Sequence, residues 1–190
     1  STGEPLELMS ENTFSKWADA TDKYYFHNIL GYDEHSYKEI LIWGTDTNLF
    51  NKWAYFKRQI GNWLRNRKQC NAFFMHKKNM FHYVKLINRY KPIFIRGYAM
   101  PLYTLAKFVE ENNLAIHSPK LIVSTTTTLY NFMRKKIEDV FDTEAFDFYG
   151  SREVNGVCGE CKNHVMHNFN FKNKVEVIKL DKKFGRIIVT

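Results

Sequence analysis

The chain has 190 residues, of which 44% are hydrophobic and 16% aromatic, and its 28 Lys and Arg against 20 Asp and Glu give a net charge of +8. This apolar content excludes a disordered chain, and the lack of any apolar run of about 18 residues excludes a membrane-spanning helix. An odd number of cysteines, three, argues against a secreted disulfide scaffold, and no signal peptide is recognised, so we expect the protein in the cytoplasm.

Strand-like and helix-like patterns alternate along the first 150 residues. Apolar runs rich in β-branched and aromatic residues predict strands, and apolar residues that recur with a period near 3.6 predict helices. Four β–α units in succession predict a mainly parallel sheet with helices on its faces. The predicted strands are 37–44, 70–76, 92–98, 120–124 and 144–149, and the predicted helices are 51–68, 78–90, 100–113 and 128–141.

The pattern changes after Gly150. The apolar runs become shorter and are separated by Lys, Asn, Asp and Gly, which predicts a short antiparallel β meander. We expect residues 1–150 to form an α/β part and residues 151–190 to be a β-rich continuation of the same domain. In a parallel sheet, the ligand site is expected beyond the carboxyl ends of the strands.

The motif Tyr149-Gly150-Ser151-Arg152-Glu153 directly follows a predicted strand at that edge. The glycine allows a sharp turn and a close approach of the backbone to a ligand, and the aromatic ring offers a flat face to a base. A carboxylate such as Glu153 suits Mg²⁺, which prefers oxygen ligands and shares them with substrate phosphates.

The first residues, Ser1-Thr2-Gly3, provide hydroxyl groups and a glycine. Backbone N–H groups of such segments commonly surround phosphate.

The two segments together resemble the acyl-adenylate-forming enzymes. STGEPL is similar to part of their Ser/Thr/Gly-rich phosphate loop, and YGSRE is similar to their Tyr-Gly-x-Thr-Glu motif. Within this superfamily the chain resembles the phenylacetate–CoA ligase group and CapK-type capsular polysaccharide biosynthesis proteins. The segments that support this resemblance are IRGYAMPLYTLAKFVEENNL, TLYNFMRKKIEDVF, FYGSREVNGVCGEC and GRIIVT.

The resemblance implies an ATP-dependent ligase that activates a small carboxylic acid as an acyl-adenylate and transfers it to CoA or another acceptor. It also implies that residues 1–150 are the nucleotide-binding part of a large N-terminal domain and that a catalytic-lysine domain follows Thr190. By itself this fragment is expected to be inactive. The implied roles are phosphate binding by Ser1, Thr2 and Gly3; nucleotide binding by Thr125, Thr126, Tyr149, Gly150 and Ser151; Mg²⁺ binding by Glu153; and carboxylate-substrate binding by Tyr98.

A cluster of cysteines and histidines lies just after this motif. Cys158, Cys161, His164 and His167 have C-x2-C-x2-H-x2-H spacing, and thiolates and imidazoles suit tetrahedral Zn²⁺. H-x2-H is tighter than the common zinc spacing, so two interpretations stay open. One is a structural zinc site that braces the turn carrying Glu153, and the other is a strand corner with Cys161 and His167 packed and His164 in solvent.

Residues 47–109 contain 13 Lys and Arg but no Asp or Glu. Such a basic block attracts polyanions, so a polyanion-binding or nucleic-acid-binding module is one alternative to the ligase. No standard nucleic-acid-binding motif accompanies it, and we expect no nucleic-acid partner. A non-catalytic, zinc-braced relative is a further alternative, and a homo-oligomer is compatible with the sequence.

Overall fold

The computed structural model describes residues 13–32, 38–44, 52–151, 154–180 and 185–189. It contains a seven-stranded sheet in the order β2-β1-β3-β4-β5-β6-β7 and a separate β8–β9 hairpin. The strands are β1 Glu39–Trp43, β2 Arg67–Asn71, β3 Phe94–Tyr98, β4 Leu121–Thr125, β5 Ala145–Tyr149, β6 Cys158–Glu160, β7 Met166–Asn168, β8 Val175–Lys179 and β9 Gly185–Val189.

Strands β1 to β5 pair in parallel, and β6 and β7 continue the sheet in antiparallel fashion. The predicted α/β fold with a mainly parallel sheet and an antiparallel continuation is therefore confirmed. From β1 the chain goes outward to β2 and then returns to β3 on the other side of β1. The boundary between β1 and β3 is thus a topological switch point, where ligands of such sheets bind.

Five α-helices and one π-helical segment accompany the described strands. None of the described helices is long and apolar enough to cross a membrane. The helices are α1 Phe14–Lys23, α2 Lys52–Leu64, α3 Lys77–Tyr90, α4 Ala99–Glu111 and α5 Asn131–Phe141, and the π-helical segment is Tyr24–Ile29.

Each face of the sheet has its own apolar core, as strand alternation requires. One core lies between the sheet and helices α3, α4 and α5, and the other lies between the sheet and the π-helical segment. The first includes Ile40, Ile42, Ile95, Ile122 and Ala145 packed with Val84, Ile87, Leu102, Leu105 and Ile137. The second includes Phe94, Leu121, Val123 and Phe146 packed with Tyr25, Phe26 and Phe169.

Two parts of the sequence interpretation differ from the structure. The strand predicted at 70–76 is found at Arg67–Asn71, and Phe73 and Phe74 follow it as exposed residues. The helix predicted at 51–68 forms as α2 but ends at Leu64, because Arg67 and Lys68 belong to β2. Its apolar side chains are exposed among the described residues: Trp53, Phe56, Ile60, Trp63 and Leu64. The periodicity identified the helix correctly but could not show whether its apolar face is covered.

Candidate functional site

The carboxyl ends of β1, β3, β4 and β5 lie along one edge of the sheet, because these strands are parallel. We call this edge the rim and define it by Gly44, Tyr98, residues 125–129 and residues 149–151. Tyr98 and Thr125 are register partners on neighbouring strands. The rim therefore brings together Tyr98, Thr125 and Tyr149, which the sequence analysis selected from three separate segments.

An aromatic cluster occupies the β1–β3 side of the rim. The rings of Trp43 and Tyr98 are 4.7 Å apart between centroids. A Cβ atom added to Gly44 would lie 2.7 Å from the Phe73 ring and 3.2 Å from the Tyr98 Oη atom. A Cβ atom at this position would therefore require the exposed Phe73 ring to move, and Tyr98 lies at the switch point.

The segment after β4 has unusual backbone geometry. Thr126 has a φ of 81°, and a β-branched residue with positive φ is a genuine outlier. The segment returns to the core at Leu129, which is 4% exposed. Thr126, Thr127 and Thr128 between these points are exposed at the rim, in the position where hydroxyl groups can contact a ligand.

Ser124, the residue before this segment, has a fully buried hydroxyl group. Its Oγ atom has no hydrogen-bond partner among the described residues. A buried unpaired hydroxyl costs free energy, so an ordered water that donates to or accepts from Ser124 Oγ would be stabilising.

Tyr149 presents its ring to solvent at the end of β5, where 47% of the residue is exposed. Its carbonyl oxygen accepts a hydrogen bond from the Val157 N–H at 2.8 Å. A Cβ atom on Gly150 would lie 2.5 Å from the Gly156 backbone nitrogen. Gly150 therefore permits a close backbone approach as expected, but the approaching group in this structure is the chain itself.

Ser151 begins the turn that follows. Its Oγ atom accepts a hydrogen bond from the Val154 N–H at 3.3 Å, and its carbonyl oxygen accepts one from the Asn155 N–H at 2.8 Å. Ser151 and Val154 are thus fixed next to Tyr149. Glu153 and Arg152 lie outside the described residues, as do Ser1, Thr2 and Gly3.

A group of charged residues that the sequence analysis did not select lies behind the rim. Asp147 in β5 accepts a hydrogen bond from the Leu129 N–H through Oδ2 at 3.2 Å. Its own N–H donates to Glu160 Oε2 at 2.8 Å, and Arg134 donates to both Glu160 carboxylate oxygens at 2.8 and 2.9 Å. Burial raises the pKa of the Asp147 carboxyl, and the Leu129 hydrogen bond opposes that rise. A carboxylate within an otherwise apolar strand, FDFY, was the sequence signal that could have identified it.

No family model matches the chain. A curated relative, protein CapK of Staphylococcus aureus, is 27% identical over 89 residues, which are 46% of this chain and 20% of CapK. A 2-hydroxyisobutyryl-CoA ligase solved with 2-HIB-AMP and CoA superimposes with a TM-score of 0.63 and 13% identity, covering 94% of this chain and 38% of the ligase. The anthranilate CoA ligase AuaEII, solved with anthranoyl-AMP, superimposes with a TM-score of 0.60 and 13% identity. This superposition covers 90% of this chain and 34% of that enzyme.

The chain has the fold of the adenylate-forming ligases. At 13% identity the superposition establishes the fold alone, and the local similarity to CapK agrees with it. The chain spans about a fifth of CapK, 20%, and 34–38% of these two ligases. The predicted resemblance to adenylate-forming ligases and to CapK is therefore confirmed.

The cysteines and histidines within this adenylate-forming fold do not assemble into a metal site. Cys158 pairs with Asn168, and Gly159 pairs with His167, so strand alternation places the side chains of Cys158 and His167 on opposite faces. The His164 ring stacks on Phe146 at 5.3 Å. In the described part of the chain, no three His, Cys, Asp or Glu side chains are placed to hold a metal ion, so the zinc interpretation has no support.

The strand-corner interpretation fits the neighbouring residues only in part. Cys161 is half-buried, whereas His167 is exposed. His164 is also exposed, but its Nδ1 atom lies 2.9 Å from Arg134 Nη1 and 3.5 Å from Glu160 Oε2. His164 therefore interacts with the charged group behind the rim, rather than being surrounded by solvent alone.

The basic block is also partly used inside the fold. Arg67 and Arg96 both bind the buried carboxylate of Glu39, at 2.5 and 2.9 Å. Arg96 also binds Asp22 at 2.8 Å. These two arginines serve internal ion pairs, which reduces the positive charge that residues 47–109 present to a partner.

Proposed function

We propose that the chain is part of an ATP-dependent ligase that activates a carboxylic acid as an acyl-adenylate and passes the acyl group to CoA or another acceptor. The main support is the rim, where Tyr98, Thr125 and the exposed Tyr149 ring lie together in a fold shared with ligases solved with acyl-AMP and CoA. The likeness to CapK supports the same superfamily.

The nucleotide would bind on the β4–β5 side of the rim. The Tyr149 ring, which is 47% exposed, provides a flat face for adenine. The exposed Thr126 would line the pocket near this ring, the buried Thr125 would contribute its backbone, and Gly150 and Ser151 would lie close to the adenylate. The exposed threonine hydroxyls of this segment are suited to a polar ligand.

The carboxylic acid would bind beside Tyr98 at the switch point. Its oxygen attacks the α-phosphorus of ATP, the bond to the bridging oxygen breaks, and pyrophosphate leaves. We assign Ser1, Thr2 and Gly3 to the β- and γ-phosphates, where backbone N–H groups stabilise the charge on the leaving group. Most of the rate acceleration in such chemistry comes from positioning and electrostatics.

We assign Glu153 to Mg²⁺, which would neutralise charge on the phosphates. Its neighbours Ser151 and Val154 are fixed beside Tyr149 by their mutual hydrogen bond. The proposal includes no zinc ion.

The test is ATP–pyrophosphate exchange by the full-length protein against a panel of carboxylic acids. We expect exchange that depends on one class of acid and on Mg²⁺. Glu153→Gln should reduce the rate by at least about a hundredfold, as expected when a charged group acting on the transition state is removed. Glu144→Gln is the matched control, because Glu144 is an exposed glutamate just before the opposite end of β5.

Exchange at the wild-type rate in Glu153→Gln would remove the Mg²⁺ assignment. Absence of exchange with every acid, in a protein that is folded and saturated with ATP, would contradict the proposed reaction.

A further inference from the structure

We infer that Asp147 is a positioning residue that holds the segment 125–129 against β5, so that its threonines stand opposite the Tyr149 ring. This inference rests on the proposed function, since it concerns the nucleotide side of the rim. Asp147 itself is not expected to contact the reacting atoms.

The segment is attached to the sheet at two points. At its start, Thr125 is the last residue of β4 and pairs with Tyr98 of β3. At its end, the Leu129 N–H donates to Asp147 Oδ2, and the Leu129 side chain is buried. Between these points Thr126 has its positive φ and the threonines are exposed, so the end of the segment is held by the Asp147 carboxylate together with the buried Leu129 side chain.

The register of the sheet places Asp147 directly beside the start of the same segment. Asp147 pairs with Ser124 across the β4–β5 boundary. Tyr149 follows Asp147 by two residues on the same strand, so both side chains project from the same face of β5. A single carboxylate therefore links the threonine segment to the strand that carries the proposed adenine contact.

Asp147 is in turn fixed by residues from two other elements. Glu160 of β6 accepts from the Asp147 N–H, and Arg134 of α5 binds Glu160 through two hydrogen bonds. Arg134 also donates to the Ala145 carbonyl oxygen. Bidentate arginine–carboxylate pairs are among the geometrically best defined interactions in proteins, so the Asp147 backbone has little freedom.

A segment held in its binding conformation before the ligand arrives reduces the entropy cost of binding. Removing the Asp147 carboxylate should therefore weaken ATP binding more than it slows the chemical step. Loss of a hydrogen bond to a charged group corresponds to about a tenfold change or more in an equilibrium.

The kinetic test compares Asp147→Ala with Asp147→Asn in the full-length protein. We expect the alanine variant to raise KM for ATP about tenfold or more with kcat changed by less than about threefold. KM for the carboxylic acid should stay unchanged. Asparagine retains an oxygen that can accept from the Leu129 N–H, so Asp147→Asn should restore KM for ATP to within about threefold of wild type.

Asp139→Ala is the matched control, because Asp139 is exposed on α5. If Asp147→Ala does not fold, Asp147→Val replaces it, because valine suits a strand and also lacks the acceptor. A folded alanine or valine variant with lower kcat and wild-type KM for ATP would overturn the inference, since that result fits a smaller fraction of native protein.

Hydrogen exchange separates this inference from the proposed function. The Leu129 amide should exchange about tenfold faster or more in Asp147→Ala than in wild type and Asp147→Asn. If the wild-type protein shows no ATP–pyrophosphate exchange activity, the proposed reaction fails and the hydrogen-exchange result alone decides whether Asp147 holds the segment. Equal Leu129 exchange in all three proteins would overturn it.

Discussion

Polar side chains have different surroundings at the two ends of the parallel strands. Near the amino ends, Glu39 is 3% exposed and its carboxylate is bound by Arg67 and Arg96. At the carboxyl ends, the Ser124 hydroxyl has no partner among the described residues, and the Tyr149 ring faces solvent. The Glu39 ion pairs therefore serve stability near the amino ends, and the exposed Tyr149 ring is available to a ligand at the carboxyl ends.

The comparison predicts that mutation of the buried Glu39 changes stability and that mutation of the exposed Tyr149 ring changes ATP binding. The largest effect is expected for Glu39→Gln, because removing one partner of a buried ion pair costs about 3–5 kcal/mol of unfolding free energy. Glu111→Gln is the control, since Glu111 forms an exposed pair with Lys107 whose loss costs at most about 1 kcal/mol. Urea denaturation measures the free energy of unfolding of both variants.

The effect of Glu39→Gln should depend on pH in a defined direction. Burial alone would raise the pKa of Glu39, but the Arg96 and Arg67 guanidinium groups hold it below its ordinary value. The unfolded state therefore binds the proton first as pH falls. The difference in unfolding free energy between wild type and variant should reach its maximum above about pH 4.3 and should decrease at lower pH. A difference that increases as the pH falls would contradict the ion-pair account.

Gly150→Ala should have the next largest effect. Its Cβ atom would lie 2.5 Å from the Gly156 nitrogen and 3.0 Å from the Gly156 Cα, and such overpacking costs about 1–3 kcal/mol. Gly61→Ala is the control, because nothing lies within 4 Å of the added Cβ in helix α2. The control should gain stability by about 1 kcal/mol, and an equal change in both variants would contradict the close packing at Gly150.

Tyr149→Ala should weaken ATP binding without a large loss of stability, because its ring is exposed at the rim. Stacking of a base on an aromatic ring is worth about 1–3 kcal/mol, which corresponds to an increase in Kd for ATP of about fivefold to 150-fold. Tyr24→Ala is the control, since the Tyr24 ring packs on Phe171 at 4.9 Å. Calorimetric titration with ATP would show an unchanged Kd in both variants if the adenine assignment were wrong.

The smallest effect is expected for Ser124→Ala in the ligand-free protein. Removing an unpaired buried hydroxyl should leave stability unchanged or raise it by up to about 1 kcal/mol. A loss of more than about 1 kcal/mol in thermal denaturation would show that the hydroxyl is already satisfied by an ordered water.

Strands β1, β3 and β4 were predictable because each is a short apolar run followed by a periodic helix. Strand β2 was misplaced because its sequence RKQCN is polar, as edge strands often are, whereas the apolar residues after Cys70 suggested a strand. Helix α1 was not predicted at all. Element type followed local pattern, but burial of a given apolar residue depended on contacts that the sequence does not show.

The rim could be predicted from one rule, that ligands bind beyond the carboxyl ends of parallel strands, together with the Tyr149-Gly150 turn. Asp147 could not be identified this way, because its partner Leu129 is 18 residues away in the sequence. The zinc interpretation failed for the opposite reason. Spacing along the chain suggested four converging ligands, but pairing of β6 with β7 turns Cys158 and His167 to opposite faces.

A crystal structure of the full-length protein with bound ATP would test the central claim most directly. The account predicts the adenine ring stacked on Tyr149, within about 4 Å, with the segment 125–129 on its other side. ATP bound away from the rim, with Tyr149 still exposed to solvent, would contradict it.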